Sequence, residues 1–326
     1  MLRLIARSER WPLSRPFRIA RGVKTAADVV VVEARDGERV GYGESVPYAR
    51  YGENVESVLA EIAAVAERGV AREELQRVLR PGAARNAIDC ALWDLEAQQV
   101  RRSVAELAGL SEPDEIVTAV TISIDAPERM AEAAAAVAAA PLIKVKVDAA
   151  APLDAVRAVR TAAPAARLIV DPNESWSVEQ LCGLSPALAA LKVDLIEQPV
   201  AADLDAALET VRLTVPLCAD ESAHTSADLE RVARRYQAVN VKLDKAGGLT
   251  EALKMRAQVR AMGLTLMVGC MVSTSLGVAP ALLLAADARF VDLDGPWWLA
   301  QDRENGMIFD NGRMRAPRGG WGCVRA

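Results

Sequence analysis

The chain has 326 residues, 52% of them hydrophobic and 25% charged, with a formal net charge of −5. That is the make-up of a globular protein with room for a large core and two domains. The acidic balance, without a Lys/Arg cluster interleaved with aromatics, argues against nucleic-acid partners. The single histidine, His224, excludes a His–Asp dyad or a site of several His ligands and is read as structural or solvated. Five cysteines (Cys90, Cys182, Cys218, Cys270, Cys323) without a Cys-x-x-Cys spacing fit reduced thiols in the cytoplasm rather than disulfides or zinc. Charge interrupts the N-terminus too early for a signal peptide. The Ala-rich run 133–143 is too short to cross a bilayer and reads as a buried helix followed by a strand.

In chain order, 2–9 and 29–35 read as strands, and Asp36-Gly37-Glu38 turns the second into a return strand over 39–44. A basic loop (15–22) lies between the first two strands and an aromatic loop (47–52) follows the hairpin. Either is a lid or a plain surface connection. Helical periodicity follows at 55–67, 73–79 and 84–99, where Ile88, Ala91, Leu92 and Leu95 share a face. Ser103 and Glu106 form a capping-box pattern opening a further short helix.

From Ile116 onward short apolar runs alternate with helical segments. Strands are expected at 117–123, 142–147, 168–171, 193–197, 216–219, 238–242, 264–269 and 290–293. Helix starts are marked by Asp125 before Pro127, Ser177 with Gln180 and Thr225 with Asp228. Lys146, Asp171, Glu197, Asp220 and Lys242 follow one another at spacings of 25, 26, 23 and 22 residues, the length of one strand–helix unit. Eight such strands, with no Gly-rich phosphate loop after the first, favour a closed parallel α/β barrel over a doubly wound sheet.

In a barrel of this kind the strand ends form the mouth, where these residues converge. Asp171, Glu197 and Asp220 come from successive strands and form a hard-oxygen site suited to Mg²⁺ or Mn²⁺ rather than Zn²⁺. The bland alternative, that each is a helix cap or a solvated loop acid, suits one Asp better than three in succession between lysines. Lys144 and Lys146 alternate along one strand and so point to one side, where repulsion and burial are expected to push at least one pKa down. Lys146 and Lys242, on opposite sides of the metal edge, can reach opposite faces of a carbon next to a metal-held carboxylate. Two bases on two faces invert a stereocentre. Lys144 is assigned to the substrate carboxylate, and Lys245, three residues past the strand end, to structure or a surface contact. Asp292 and Asp294 share a face by alternation, and a paired anion suits an ammonium.

Lys144-x-Lys146, Asp171-x-Asn173, Glu197-Gln198-Pro199, Asp220-Glu221-Ser222 and Lys242-Leu243-x-Lys245-x-Gly247-Gly248 resemble the enolase superfamily in its muconate-lactonising-enzyme subgroup, over nearly the whole chain. Such sites are known to pair a Lys or His base with magnesium. Asp292-Leu293-Asp294-Gly295-Pro296 is similar to the Asp-x-Asp of dipeptide epimerases. Gly41-Tyr42-Gly43-Glu44, the 84–89 run and Gly269-Cys270-Met271 resemble the bacterial L-Ala-D/L-Glu epimerases of murein peptide recycling. The one departure, Pro172 between Asp171 and Asn173, contributes only backbone.

The resemblance implies a (β/α)7β TIM-like barrel over 114–296. An α+β capping domain over 1–113, with lid loops near 15–25 and 47–54, is completed by a C-terminal segment over 297–326. It implies one Mg²⁺ (or Mn²⁺) per subunit on Asp171, Glu197 and Asp220, with Lys146 and Lys242 as bases. The substrate site would take Lys144, Asp292, Asp294, Thr121, Cys270 and Arg21, the last meeting a distal carboxylate unless Arg18 or Lys24 does so. The implied partner is a small dipeptide, with no nucleic acid or membrane, in a cytoplasmic protein of a family that commonly forms homo-oligomers. Within the fold the alternatives are o-succinylbenzoate synthase, N-acylamino acid racemase and cycloisomerase, whose substrates lack a free ammonium. Outside that chemistry stand a Schiff-base aldolase using Lys146 or Lys242 and a barrel that binds peptide without turnover.

Overall fold

The computed structural model describes residues 2–66, 68–111, 113–316 and Trp321. The N-terminal antiparallel sheet is a long hairpin plus one strand, in the order β1 (Arg3–Ile19), β2 (Gly22–Asp36), β3 (Arg39–Ser45). The expected basic loop at 15–22 is instead mostly strand. Phe17 pairs with Lys24, Arg18 with Val23 and Ile19 with Gly22, so only Ala20 and Arg21 turn the chain. A register shift between Pro12 and Phe17 absorbs the stretch containing Pro16, which cannot donate to a ladder. Strand character was hidden there because the exposed run Ser14-Arg15-Pro16 breaks the alternation of Trp11, Leu13, Phe17 and Ile19 with exposed neighbours.

Four helices follow: α1 (Val55–Ala66), α2 (Arg72–Val78), α3 (Ala83–Val100) and α4 (Val104–Ala108), the last opened by the expected Ser103–Glu106 capping box. Helix α3 is buried almost all round, because the sheet covers one side and the barrel the other. Its contact with β3 depends on two glycines. A Cβ on Gly41 would lie 2.2 Å from Ala91 O, and one on Gly43 would lie 2.1 Å from Ala87 O. Asp94 at the same contact accepts from Tyr42 N–H at 2.9 Å.

The second unit begins with a short strand, β4 (Glu115–Val117), and continues with eight parallel strands. They are β5 (Val120–Ile122), β6 (Leu142–Lys146), β7 (Arg167–Asp171), β8 (Val193–Glu197), β9 (Leu217–Ala219), β10 (Ala238–Val241), β11 (Thr265–Gly269) and β12 (Phe290–Asp292), each hydrogen-bonded to the next in that order. The seam between last and first is bridged by Ala119 N–H to Val291 O and Leu293 N–H to Thr118 Oγ1, both at 2.8 Å. The sheet is thereby drawn round into the expected barrel.

Helices cover it outside: α5 (Pro127–Ala136), α6 (Pro152–Ala162), α7 (Val178–Ala190), α8 (Leu229–Val232), α9 (Leu243–Ala246), α10 (Leu249–Ala261), α11 (Ser275–Val278) and α12 (Leu282–Ala285). Ser177 caps α7 as expected, whereas α5 starts from Ala126 and Asp125 only accepts from that residue's N–H. Helix α5 is not buried as the Ala-rich run implied; only Met130 and Ala134 are enclosed. Alanine suits a solvated helix face as well as a core. Between β8 and β9 the helix is replaced by a 3₁₀ turn over Asp205–Thr210.

Beyond β12, strands β13 (Ile308–Asp310) and β14 (Arg313–Arg315) pair in the order β13-β14-β4. Arg303 in the same segment reaches Glu44 at 2.8 Å and Glu9 at 2.6 Å in the N-terminal sheet. Cys323 and the final stretch of the expected tail lie outside the described residues.

Candidate active site

Period-two alternation sorts the barrel interior into layers. The floor is one apolar cluster with a residue from each strand or its foot: Ala119, Leu142, Ile169, Leu195, Cys218, Ala238, Met267 and Phe290. Two residues further along each strand stand Thr121, Lys144, Asp171, Glu197, Asp220, Asn240, Gly269 and Asp292. One more step reaches Lys146, Lys242 and Asp294. The apolar floor closes the barrel below, and every polar group above it faces the mouth.

The three expected metal carboxylates are held alike. Asp171 Oδ1 accepts from Asn173 N–H at 2.9 Å, and Glu197 Oε1 from Asn240 Nδ2 at 2.8 Å. Asp220 Oδ1 lies 2.6 Å from the Lys245 ammonium. Each carboxylate thus has one oxygen fixed from behind and turns the other inward. Inward-facing Asp171 Oδ2 meets Lys146 Nζ at 2.6 Å and Lys144 Nζ at 3.0 Å. Glu197 Oε2 meets Lys144 Nζ at 2.8 Å, and Asp220 Oδ2 meets Lys242 Nζ at 2.7 Å. Lys144 also pairs with Asp292 Oδ2 at 2.7 Å, leaving Asp292 Oδ1 buried without a hydrogen-bond partner. Asp294 Oδ2 accepts from Thr121 N–H at 2.7 Å and from Trp298 Nε1 at 3.3 Å.

Above these groups lies a cavity of about 520 Å³. Lys144, Lys146, Asp220, Lys242, Thr121, Cys270, Asp292 and Asp294 line it, with the hairpin tip (Phe17, Ile19, Arg21, Lys24) and Tyr48–Tyr51 above. Asp171 and Glu197 are fully buried beneath the lysines. Arg21 is already engaged: its guanidinium donates to Glu221, Glu174, the Asn173 carbonyl and Tyr48. Lys24 packs over the Tyr48 ring at 5.0 Å and, among the described residues, has no carboxylate in ion-pair range. Arg18, the third candidate for a distal carboxylate, does not line the cavity.

Residues 128–324 match the family model described as enolase C-terminal domain-like, and residues 1–109 match the mandelate racemase / muconate lactonizing enzyme N-terminal domain. The chain belongs to the enolase superfamily. It is 49% identical to an L-Ala-D/L-Glu epimerase of Escherichia coli K12, over 94% of this chain and 97% of that one. It is 45% identical to an N-acetyl-D-glutamate racemase of a Pseudoalteromonas species, over 88% and 92%. A solved enolase family member from Agrobacterium tumefaciens, with homology to dipeptide epimerases and bound to sodium and L-Ala-L-Glu, superposes with a TM-score of 0.95 at 48% identity, covering 98% of each chain. A dipeptide epimerase from Enterococcus faecalis complexed with Mg and L-Leu-L-Tyr gives 0.91 at 27% identity, again covering 98% of each chain.

Within this enolase-superfamily site the donor set suits a hard cation. The three carboxylates turn Asp171 Oδ2, Glu197 Oε2 and Asp220 Oδ2 toward the lysines of the lumen, and Glu197 Oε2 and Asp220 Oδ1 accept no hydrogen bond. Among the described residues no three His, Cys, Asp or Glu side chains are yet drawn into a metal cage, because ammonium groups stand between them. The Lys144 pKa does not show the lowering expected for at least one lysine of the Lys144/Lys146 pair. Burial does lower it, but Asp292, Glu197, Asp171 and Asp220 together raise it well above the usual value. Lys242 is raised in the same way, against burial, chiefly by Asp220 and Glu197. Burial with the charges of Asp171 and Asp220 pushes Glu197 up to about 7, while the lysines hold Asp171 and Asp220 below the usual carboxylate range.

Three residues gain roles that the sequence reading did not give them. Lys245 is not a surface group but is almost fully buried against Asp220. Asn240 holds Glu197, and stepping back by two from Lys242 would have placed it in the barrel lumen. Gln198 accepts from the N–H groups of Asp220 and Ser222 and so fixes the end of β9 to that of β8. His224 packs edge-on against Tyr51 with ring centroids 4.6 Å apart.

Proposed function

We propose that the protein is an isomerase that inverts the α-carbon of a glutamyl residue in a dipeptide, converting L-Ala-D-Glu to L-Ala-L-Glu in cytoplasmic recycling of murein peptides. The reading of two bases rests on barrel order. Lys146 ends β6 and Lys242 follows β10, four strands on, which is halfway round a barrel of eight. One lysine takes the α-proton from one face, the C–H electron pair passes into the adjoining carboxylate as an enediolate, and the other lysine returns a proton to the opposite face. Lys144 keeps positive charge beside that carboxylate throughout. One Mg²⁺ per subunit held by Asp171, Glu197 and Asp220, or Mn²⁺ on the same oxygens, would offset the negative charge built up as the proton leaves.

The observation that carries the dipeptide reading is Asp292 Oδ1, a buried carboxylate oxygen without a hydrogen-bond partner at the cavity wall. An α-ammonium satisfies it with a charged donor; an N-acetyl group puts a methyl there and leaves only the neutral amide N–H. The distal carboxylate is assigned to the hairpin tip, to Lys24 or to Arg21 once released from its protein partners. A second reading, racemisation of N-acetylglutamate, is favoured by the Pseudoalteromonas relative and shares the glutamyl half of the substrate.

Proton NMR in D₂O tests all of this with L-Ala-D-Glu, L-Ala-L-Glu and N-acetyl-D-glutamate, each with Mg²⁺ and with EDTA. Metal-dependent loss of the Glu α-proton signal from the dipeptides, with the other diastereomer appearing, supports the proposal. Turnover of N-acetylglutamate alone would replace it with the racemase reading.

A further inference from the structure

The cation reading names three carboxylates, yet a carboxylate on a rotatable side chain is a poor ligand until something fixes its plane. Asp171 is fixed by backbone, through Asn173 N–H. Glu197 and Asp220 are fixed by side chains from β10 and the helical turn α9 beyond it. We propose that Asn240 and Lys245 are positioning residues for the cation site, which hold Glu197 Oε1 and Asp220 Oδ1 from behind so that Glu197 Oε2 and Asp220 Oδ2 converge.

Lys245 has the geometry of a fixed strut rather than a base. Its ammonium pairs with Asp220 Oδ1 at 2.6 Å and donates to the carbonyl of Asp220 itself and, at 3.0 Å, to that of Asn240. Two hydrogen bonds to main-chain carbonyls and one ion pair thus hold a side chain about 1% exposed. By gripping both the carboxylate and the main chain of one residue, it removes the rotation that would turn Asp220 away from the centre. The same ammonium joins the two struts, because the Asn240 carbonyl is its third acceptor.

Asn240 is held in place by the absence of a neighbour's side chain. A Cβ on Gly269 would lie 2.7 Å from Asn240 Oδ1 and 2.8 Å from Nδ2, so only glycine on β11 leaves room for the amide where it reaches Glu197. This gives a reason for glycine at 269 that owes nothing to a turn. Neither Asn240 nor Lys245 is among the residues lining the substrate cavity, so their effect passes through the carboxylates they hold.

The inference rests on the cation reading of the site, and its test separates the two. Full-length protein is titrated with Mn²⁺ while free aqueous Mn²⁺ is followed by electron paramagnetic resonance, with Mg²⁺ as competitor and no substrate present. Circular dichroism confirms that each variant is folded at the temperature used. Wild-type protein is expected to bind Mn²⁺ saturably. Lys245→Met, Asn240→Ala and Gly269→Ala are each expected to bind it about 10- to 100-fold more weakly, the range for residues that orient metal ligands.

The sign at Lys245 discriminates between roles. Deleting a nearby positive charge would by electrostatics alone tighten cation binding, so weaker binding reports lost orientation. Gly269→Ala leaves every charge and polar group in the chain and keeps the question answerable if Lys245→Met does not fold. Unchanged Mn²⁺ affinity in the folded variants, or tighter binding in Lys245→Met, overturns the proposal. Failure of the wild-type protein to bind Mn²⁺ overturns the cation reading, and the proposal with it, before any variant is made.

Discussion

Two regions of this molecule bury carboxylates, and they surround them differently. At the barrel mouth Asp171 and Asp220 sit among lysines and are held below the usual range, while burial and the charges of those two acids push Glu197 up to about 7. At the contact between the N-terminal unit and the barrel Asp89 and Asp244, and at the α3–β3 contact within that unit Asp94, are held by neutral donors. Asp89 accepts from Thr250 N–H and Oγ1, Asp94 from Tyr42 N–H, and Asp244 from Val46 N–H and Asn86 Nδ2. Burial without a close cation pushes these three up, Asp89 and Asp94 to about 6 and Asp244 to about 7. Acids that face positive charge thus stand apart from acids that fasten one element to another. Burial alone does not distinguish them; the balance of neighbouring positive and negative charge does.

The contrast is broken most severely at the lysines. Lys146→Ala and Lys242→Ala should each lower the rate of epimerisation by about 10²- to 10⁴-fold, the usual worth of a positioned acid or base. Each variant should still exchange the α-proton of one diastereomer with solvent deuterium while losing exchange of the other. Loss of exchange with both diastereomers in both variants would count against two bases on two faces.

The fastening acids are sharpened by pH. Asp244 has a folded-state pKa of about 7 against an ordinary value of 3.8. Below about pH 4 both states hold the proton and nothing changes. Between about pH 4 and 7 the folded state binds the proton more tightly, so stability falls as pH rises, by about 4 kcal/mol in total at most. Denaturant melts at pH 5 and 8 should show about 3 kcal/mol of that loss in wild-type protein and a smaller one in Asp244→Asn. An equal loss in the variant would assign the pH dependence to other groups.

The smallest effect lies between the two regions in character, at Asp292, which pairs with one lysine yet keeps one oxygen unpartnered. Asp292→Asn should reduce kcat/KM for L-Ala-Glu by about 30-fold, the worth of one charge-assisted hydrogen bond of about 2 kcal/mol. N-acetylglutamate turnover, if any, should change far less. Equal losses on both substrates would show that Asp292 acts through Lys144 rather than on the ammonium.

Much of the barrel was legible in the sequence because its signals are local. Asp171, Glu197 and Asp220 each end an apolar run, and alternation alone puts Lys144 and Lys146 on one side. The long hairpin was not legible, since the exposed run Ser14-Arg15-Pro16 interrupts the alternation of half-buried Trp11, Leu13, Phe17 and Ile19 with exposed neighbours. For Lys245, read as structure or a surface contact, the structure decides for the former, because a helical turn past the strand end swings the side chain back beneath that end. Arg21 was placed at the cavity, but its partners Glu174 and Glu221 come from loops more than 150 residues away.

The sequence by itself determined the strand–helix rhythm, the order of acids and lysines round the mouth and the shared face of Asp292 and Asp294. All of these follow from periodicities of two and 3.6 that operate within a few residues. The tertiary structure alone decided which oxygen of each carboxylate is held and which is turned inward. It also decided which way the lysine pKa values move and how closely α3 lies on β3. Those outcomes depend on distances between groups far apart in the chain, where a separation of a few ångströms fixes whether burial or charge prevails.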